Sequence, residues 1–160
     1  MKPLVRLLAV PALLLVAACS PQAGAAPTPE APAAHPISGL QVIPLAIAHD
    51  GKTHRFRVEV AASDEEQERG LMFRTEMGAD EGMIFPKEPA QKRAFWMRNT
   101  VIPLDMVFIG PDHRIVNIIA NAEPYSLDSR PSAAPVIAVL ELNGGRTAQL
   151  GIGPGDTVTW

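Results

Sequence analysis

The sequence predicts an α+β domain: a mainly antiparallel, curled or barrel-like sheet with two short helices. Three observations lead there. Short β-branched or alternating segments recur between Pro and Gly punctuation from about residue 41 onward. Only two stretches read as helix, and both are short. The chain then ends on a helix, a Gly151-x-x-x-Gly155-Asp156 turn and a strand, an order that recurs in small β-barrels.

Taken in order, residues 41–48 are rich in Val, Ile and Leu and read as a strand. Pro44 has no N–H for a ladder, so this strand is expected at a sheet edge. His49-Asp50-Gly51-Lys52 is a hairpin turn with Asp-Gly as its signal. Residues 53–60 alternate: Phe56, Val58 and Val60 face one way, and Arg55, Arg57 and Glu59 the other, as in a half-buried strand. The period then changes. Ser63-Asp64-Glu65-Glu66 is a capping box, with Ser63 as N-cap and Glu66 three residues on. Its acidic side chains suit the positive end of a helix that runs to about Leu71. Strands are expected at residues 82–85, 93–97, 105–109 and 114–120, the last two joined by Gly110-Pro111-Asp112-His113. Residues 136–142 form another β-branched apolar run. Residues 146–150 form a short helix stopped by Gly151, and residues 157–160 the terminal strand.

Composition excludes several function classes. The 160 residues contain one Cys, so no internal disulfide and no site with two thiolates can form. A net charge of −3 lacks the basic excess of a nucleic-acid binder. His35, His49, His54 and His113 have no zinc-ligand spacing. Met72, Met77, Met83, Met97 and Met106 lack the Met-x-Met or Met/His clustering of a copper site and read as core filler. No Gly-rich phosphate loop is present, and no serine sits in a nucleophile elbow. No cofactor is expected.

The first 36 residues divide into an address and a spacer. Lys2 and Arg6 precede an apolar run from Leu7 to Ala18, which is short for a membrane span and has the pattern of a secretory signal. It ends in Val16-Ala17-Ala18-Cys19, which resembles the bacterial lipobox. That resemblance implies cleavage before Cys19 and acylation of its thiol, anchoring the chain to a membrane by lipid. Ser20 follows, where Asp would favour inner-membrane retention, so the expected location is the outer membrane, facing the periplasm. Residues 21–36 are nearly all Pro, Ala or Gly and read as an extended tether. The expected organisation is a signal peptide at 1–18, the lipid-attachment Cys and tether at 19–40, and one globular domain at 41–160. Loss of residues 1–18 moves the net charge from −3 to −5.

Six segments occur in order: Arg69-Gly70-Leu71-Met72-Phe73-Arg74, Gly82-Met83-Ile84-Phe85, Phe95-Trp96-Met97-Arg98-Asn99-Thr100, Ile102-Pro103-Leu104-Asp105, Leu140-Glu141 and Gly151-Ile152-x-x-Gly155-Asp156. Together they resemble the bacterial and archaeal family of domains of unknown function numbered 192, over about residues 56–158. The resemblance implies one small mixed α/β domain, often secreted or lipid-anchored. It brings no biochemical function. Arg98 stands where Lys is common in the family.

The candidate ligand-binding residues are Arg69, Arg74, Trp96, Arg98, Asn99 and Asp105. In a strand, Phe95, Met97 and Asn99 would share one face and Trp96, Arg98 and Thr100 the other. Phe95 and Met97 suit a core. Trp96 and Arg98 then either line a groove, where a Trp face stacks on a sugar and an Arg fork grips a carboxylate, or are packed and ion-paired internally. Asn99 suits a tight connection, and Asp105 is a partner for Arg98 or Arg74. Arg69 and Arg74 beside Trp96 would form a positive patch in an acidic domain. Glu141, alone in an apolar strand, is either paired with an Arg or on an exposed face.

Two function classes follow. One is a cell-envelope binding module for an envelope protein, a glycan or a small anionic ligand. The other is a small hydrolase or carbohydrate-active enzyme using Asp105 or Glu141 as acid or base. No catalytic residue or metal ligand is assigned.

Overall fold

The computed structural model describes residues 33–160. Cys19 and most of the expected tether lie outside them. Nine strands and two helices follow in the order β1 (Val42–His49), β2 (Lys52–Val60), α1 (Asp64–Arg69), β3 (Glu81–Gln91), β4 (Ala94–Phe95), β5 (Leu104–Ile109), β6 (Ile115–Ala122), β7 (Arg130–Pro131), β8 (Val136–Asn143), α2 (Arg146–Leu150) and β9 (Thr157–Thr159). The fold is α+β. Seven strands form one sheet in the order β6-β5-β8-β3-β2-β1-β9, and β4 and β7 pair separately. Pairing is antiparallel except between β2 and β3, which are parallel and connected through α1.

The sheet curls but is not closed into a barrel. Its two edges touch at one isolated bridge, Arg114 to Thr157, supported by Ile115 N–H to Asp156 C=O at 3.0 Å. Three residues of β9 cannot extend this contact along the length of β6.

Side chains alternate across the sheet, so each face has its own core. Ile84, Val107, Leu140, Leu142 and Phe56 pack on one face with Ile152 and Val158. Met83, Phe85, Met106, Phe108 and Val139 pack on the other, under Leu71 and Met97. β5, β8 and the Gly82–Phe85 stretch of β3 are therefore nearly all apolar, as strands buried on both faces must be. Burying each large side chain contributes roughly 1.5–3 kcal/mol.

The capping box forms as the sequence predicts. Glu66 N–H donates to Ser63 Oγ, and Ser63 N–H donates to Glu66 Oε2 at 2.7 Å. The backbone N–H groups of Ser63 and Ala62 hold the Glu66 carboxyl below its ordinary pKa. Gly70 ends the helix at φ 46° and ψ −134°, a conformation open to glycine. A Cβ there would also meet the Phe85 ring at 3.3 Å.

Upstream of β1, residues 33–40 turn back on the sheet. Val42 N–H donates to Ala33 C=O at 2.8 Å, and Ser38 Oγ–H donates to the Glu59 carboxylate. Among the described residues no helix is long and apolar enough to cross a membrane.

One expected strand is shorter than the sequence predicts. Residues 93–97 were expected as β, but pairing stops at Phe95, and Arg98 and Asn99 form a turn. Asn99 adopts φ 54°, which breaks the strand geometry. The alternation expected for residues 95–100 holds as far as Arg98, with Met97 buried and Trp96 and Arg98 exposed, and breaks after the turn, where Thr100 is buried instead of sharing their face.

Candidate functional site

The residues singled out by sequence divide into two groups. Arg69, Trp96 and Arg98 line a cleft of about 40 Å³ between α1 and the turn after β4. Arg74, Asn99 and Asp105 do other work.

Arg74 is buried and forms a two-pronged ion pair with Glu59, Nη1 to Oε1 at 2.8 Å and Nη2 to Oε2 at 3.1 Å. Glu59, expected on the solvent face of β2, is buried by this partner. Asp105 is fully buried and pairs with neither Arg98 nor Arg74. Its Oδ1 accepts from the N–H groups of Asn121 (2.7 Å) and Gly145 (2.8 Å). Its Oδ2 accepts from the N–H (2.8 Å) and hydroxyl (2.6 Å) of Thr147. Asp105 thus ties the β8–α2 turn to β5 and β6. Asn99 turns the chain, and its C=O accepts from Phe73 N–H at 2.8 Å.

Glu141 lies at the cleft and takes neither form expected of it. It is 4 % exposed, and among the described residues its carboxyl has no hydrogen-bond or salt-bridge partner. Its cross-strand neighbours on β3 and β5 are Met83 and Met106, both buried on the same face. A carboxyl between two thioethers is desolvated, and this pushes its pKa up to about 8, against the opposing charge of Arg93. A Cβ on Gly82 would lie 2.5 Å from the Glu141 carbonyl oxygen, so glycine permits β3 and β8 to approach closely here.

Arg93, which the sequence reading passed over, braces the cleft wall. It donates to Phe85 C=O (3.0 Å) and Gln67 Oε1 (2.9 Å), and lies 4.9 Å from the Phe95 ring centre. Burial lowers its pKa while Glu141 opposes the shift. Gln67 in turn donates to Pro86 C=O at 2.8 Å, which fastens α1 to β3. Phe95 stands edge-on to Phe85 with centroids 5.1 Å apart. At the mouth, Arg98 lies 5.7 Å from the ring centre of Trp96, which is 48 % exposed.

The narrow cleft opens at both ends of α1. On one side Trp96, Leu127 and Ser129 line a depression of about 460 Å³. On the other, Ile37, Phe73 and Ser63 line one of about 450 Å³. The cleft shares Gln67, Glu68, Phe95 and Trp96 with the first and Arg69, Gly70 and Met72 with the second. Phe73 and Tyr125 are exposed and hold φ 63°, and Asn99 lies between them in the hydrogen-bonded loops. A left-handed backbone at a bulky side chain costs roughly 1–2 kcal/mol, and such strain clusters at functional sites. Among the described residues no three His, Cys, Asp or Glu side chains gather as metal ligands.

The signal for Glu141 was present in the sequence. In Val136-Ile137-Ala138-Val139-Leu140-Glu141-Leu142 both alternating sets are apolar, so the strand has no exposed face to receive a carboxylate.

Fold and cleft together define a small α+β domain on a curled mixed sheet, with a buried carboxyl opening beneath its first helix. A family model described as uncharacterized ACR, DUF192, matches residues 45–160, and the chain belongs to that family. A crystal structure of a protein of unknown function from Novosphingobium aromaticivorans DSM 12444 is 55% identical, covers 82% of this chain and 94% of its own, and superposes with a TM-score of 0.80. A protein from Sinorhizobium meliloti 1021, described as a possible transcription regulator, is 39% identical, covers 75% and 94%, and gives a TM-score of 0.73. No curated protein matches the chain.

Proposed function

We propose that this chain is a cell-envelope lipoprotein with a small ligand-binding domain, and that the cleft between α1 and Trp96–Arg98 is its binding site. The observation that carries this reading is Glu141. A carboxyl this deeply buried, with no hydrogen-bond partner among the described residues, keeps only the contact that the cleft allows it. Native proteins rarely keep such a group unless it serves a purpose. A ligand in the cleft would supply the missing partner.

Three features support the same place. The segments containing Arg69–Met72, Phe85, Phe95–Arg98 and Glu141, which carried the family resemblance, all contribute to the cleft wall. The positive-φ residues Phe73, Asn99 and Tyr125 lie in loops bonded to one another beside the cleft residue Thr100, whose C=O accepts from Tyr125 N–H. The depressions at either end give a ligand room beyond the narrow waist. The lipobox-like segment ending at Cys19 and the Pro/Ala-rich stretch after it support tethering at the outer membrane, facing the periplasm. Asp105 is a poor candidate for a hydrolase, since both its oxygens are occupied on the opposite face of the sheet.

The test is nuclear magnetic resonance of the purified chain titrated with a fractionated low-molecular-weight envelope extract. Binding should shift the Trp96 indole resonance and leave that of Trp160 in place. A set of fractions that moves neither the Trp96 indole nor the Phe95–Thr100 amides would overturn the reading.

A further inference from the structure

Resting on the cleft as a binding site, we propose that it takes the carboxylate of a small ring-bearing acid, such as an acidic saccharide: Glu141 donates a hydrogen bond to that carboxylate at the base, and Arg69 and Arg98 meet its charge at the mouth. The chemistry follows from the groups that face the space. Among the described residues Glu141 has no internal acceptor for its proton and no donor to hold it ionised. The flanking strands β3 and β5 present Met83 and Met106 at this register and no charge. α1 contributes Glu68 and Arg69 and the turn after β4 contributes Arg98, while Arg93, on the β3–β4 connection, lines the adjoining depression. Arg93 is already committed to Phe85 C=O and Gln67 Oε1, which leaves Arg69 and Arg98 to receive an anion.

Size points the same way. About 40 Å³ holds a few waters. That suits a carboxylate head and excludes a whole sugar ring. The ring would lie in the adjoining depression beside Trp96, whose exposed surface can take an apolar C–H face. A cationic ligand would meet the Arg69 and Arg98 guanidinium groups, with Glu68 the one other charged side chain at the mouth, and a neutral one would leave the two arginines without a role.

The reading has a pH signature that simple charge attraction does not share. Burial keeps Glu141 protonated up to about pH 8. Below that, an anion binds with no net proton exchange. Above it, each binding event must take up one proton, so affinity falls about tenfold per pH unit.

Isothermal calorimetry on the purified chain tests this with matched pairs: glucuronate against glucose, and N-acetylmuramate against N-acetylglucosamine. The acids are expected to bind at least tenfold more tightly than their neutral partners. Their affinity should be flat from pH 6 to 7.5 and fall about tenfold per unit above pH 8. Glu141→Gln keeps a donor and should bind the acids with the high-pH fall removed. Arg98→Gln should weaken the acids and narrow their advantage over the neutral sugars. Circular dichroism and thermal melting confirm that both variants fold. Equal binding of acids and neutral partners, or no binding of either acid, overturns the carboxylate proposal. An unchanged high-pH fall in Glu141→Gln overturns the role of Glu141. The extract titration reads the cleft whatever the ligand class, so a positive result there beside a failure here separates the two readings.

Discussion

Asp105 and Glu141 lie on paired strands, and the residue opposite Asp105 is Leu142, the next along from Glu141. Both carboxyls are buried, on opposite faces of the sheet. Asp105 accepts four hydrogen bonds and holds a turn together. Glu141, with no such partner among the described residues, opens on a cleft. Burial alone therefore does not mark a functional acid; what matters is whether the fold itself answers the buried group.

The largest effect expected on this contrast is at Asp105. Asp105→Ala leaves the N–H and hydroxyl of buried Thr147 and the part-buried N–H groups of Asn121 and Gly145 without an acceptor, and should destabilise by roughly 3–5 kcal/mol. Denaturant unfolding measures this, and a loss under about 1 kcal/mol would break the contrast. Glu59 offers a third case, a buried carboxylate answered by a cation. Arg74→Ala should destabilise by roughly 3 kcal/mol, because Glu59 stays buried with the Ser38 hydroxyl and the His35 ring left beside it.

Glu141 should respond to pH instead. Its raised pKa means that the folded chain holds a proton the unfolded chain has lost. Wild-type stability should fall as pH rises from about 4.5 through about 8. Glu141→Gln should match wild type at pH 4 and exceed it by on the order of 2–4 kcal/mol at pH 9, read from urea midpoints across that range. A constant difference across the range would remove the contrast. The smallest effect is at the rim. Trp96→Ala should change stability by less than about 1 kcal/mol, since half the side chain already faces solvent. A larger loss in thermal melting would make Trp96 a packing residue.

Local rules made most of the fold legible. Ser63 and Glu66 formed their box because both partners lie within one turn. The hairpin at Asp50-Gly51 and the strand after Gly110-Pro111-Asp112-His113 rest on equally local chemistry. Arg98 and Trp96 were legible as a pair by proximity in sequence. The rest depended on distance. Glu59 looked solvent-facing because its partner Arg74 comes after a helix. The donors to Asp105 lie 16 to 42 residues away, and no spacing rule announces them. The strand expected over residues 93–97 ended early because Asn99 took a left-handed backbone, where its carbonyl receives Phe73 N–H.

Pro44 is more than a mark of an edge strand. Along the outer side of β1, Ala33 answers Val42, and β9 covers Ala46 to Ala48. The one stretch left open centres on Pro44, which faces the same way as Val42 and has no N–H to offer an incoming strand. On the far edge, Asn117 of β6 bonds the backbone of Pro131 and Ala133. Neither margin presents a free ladder on which a second copy could grow. Pro44 on one margin and Asn117 on the other thus act against edge-to-edge pairing.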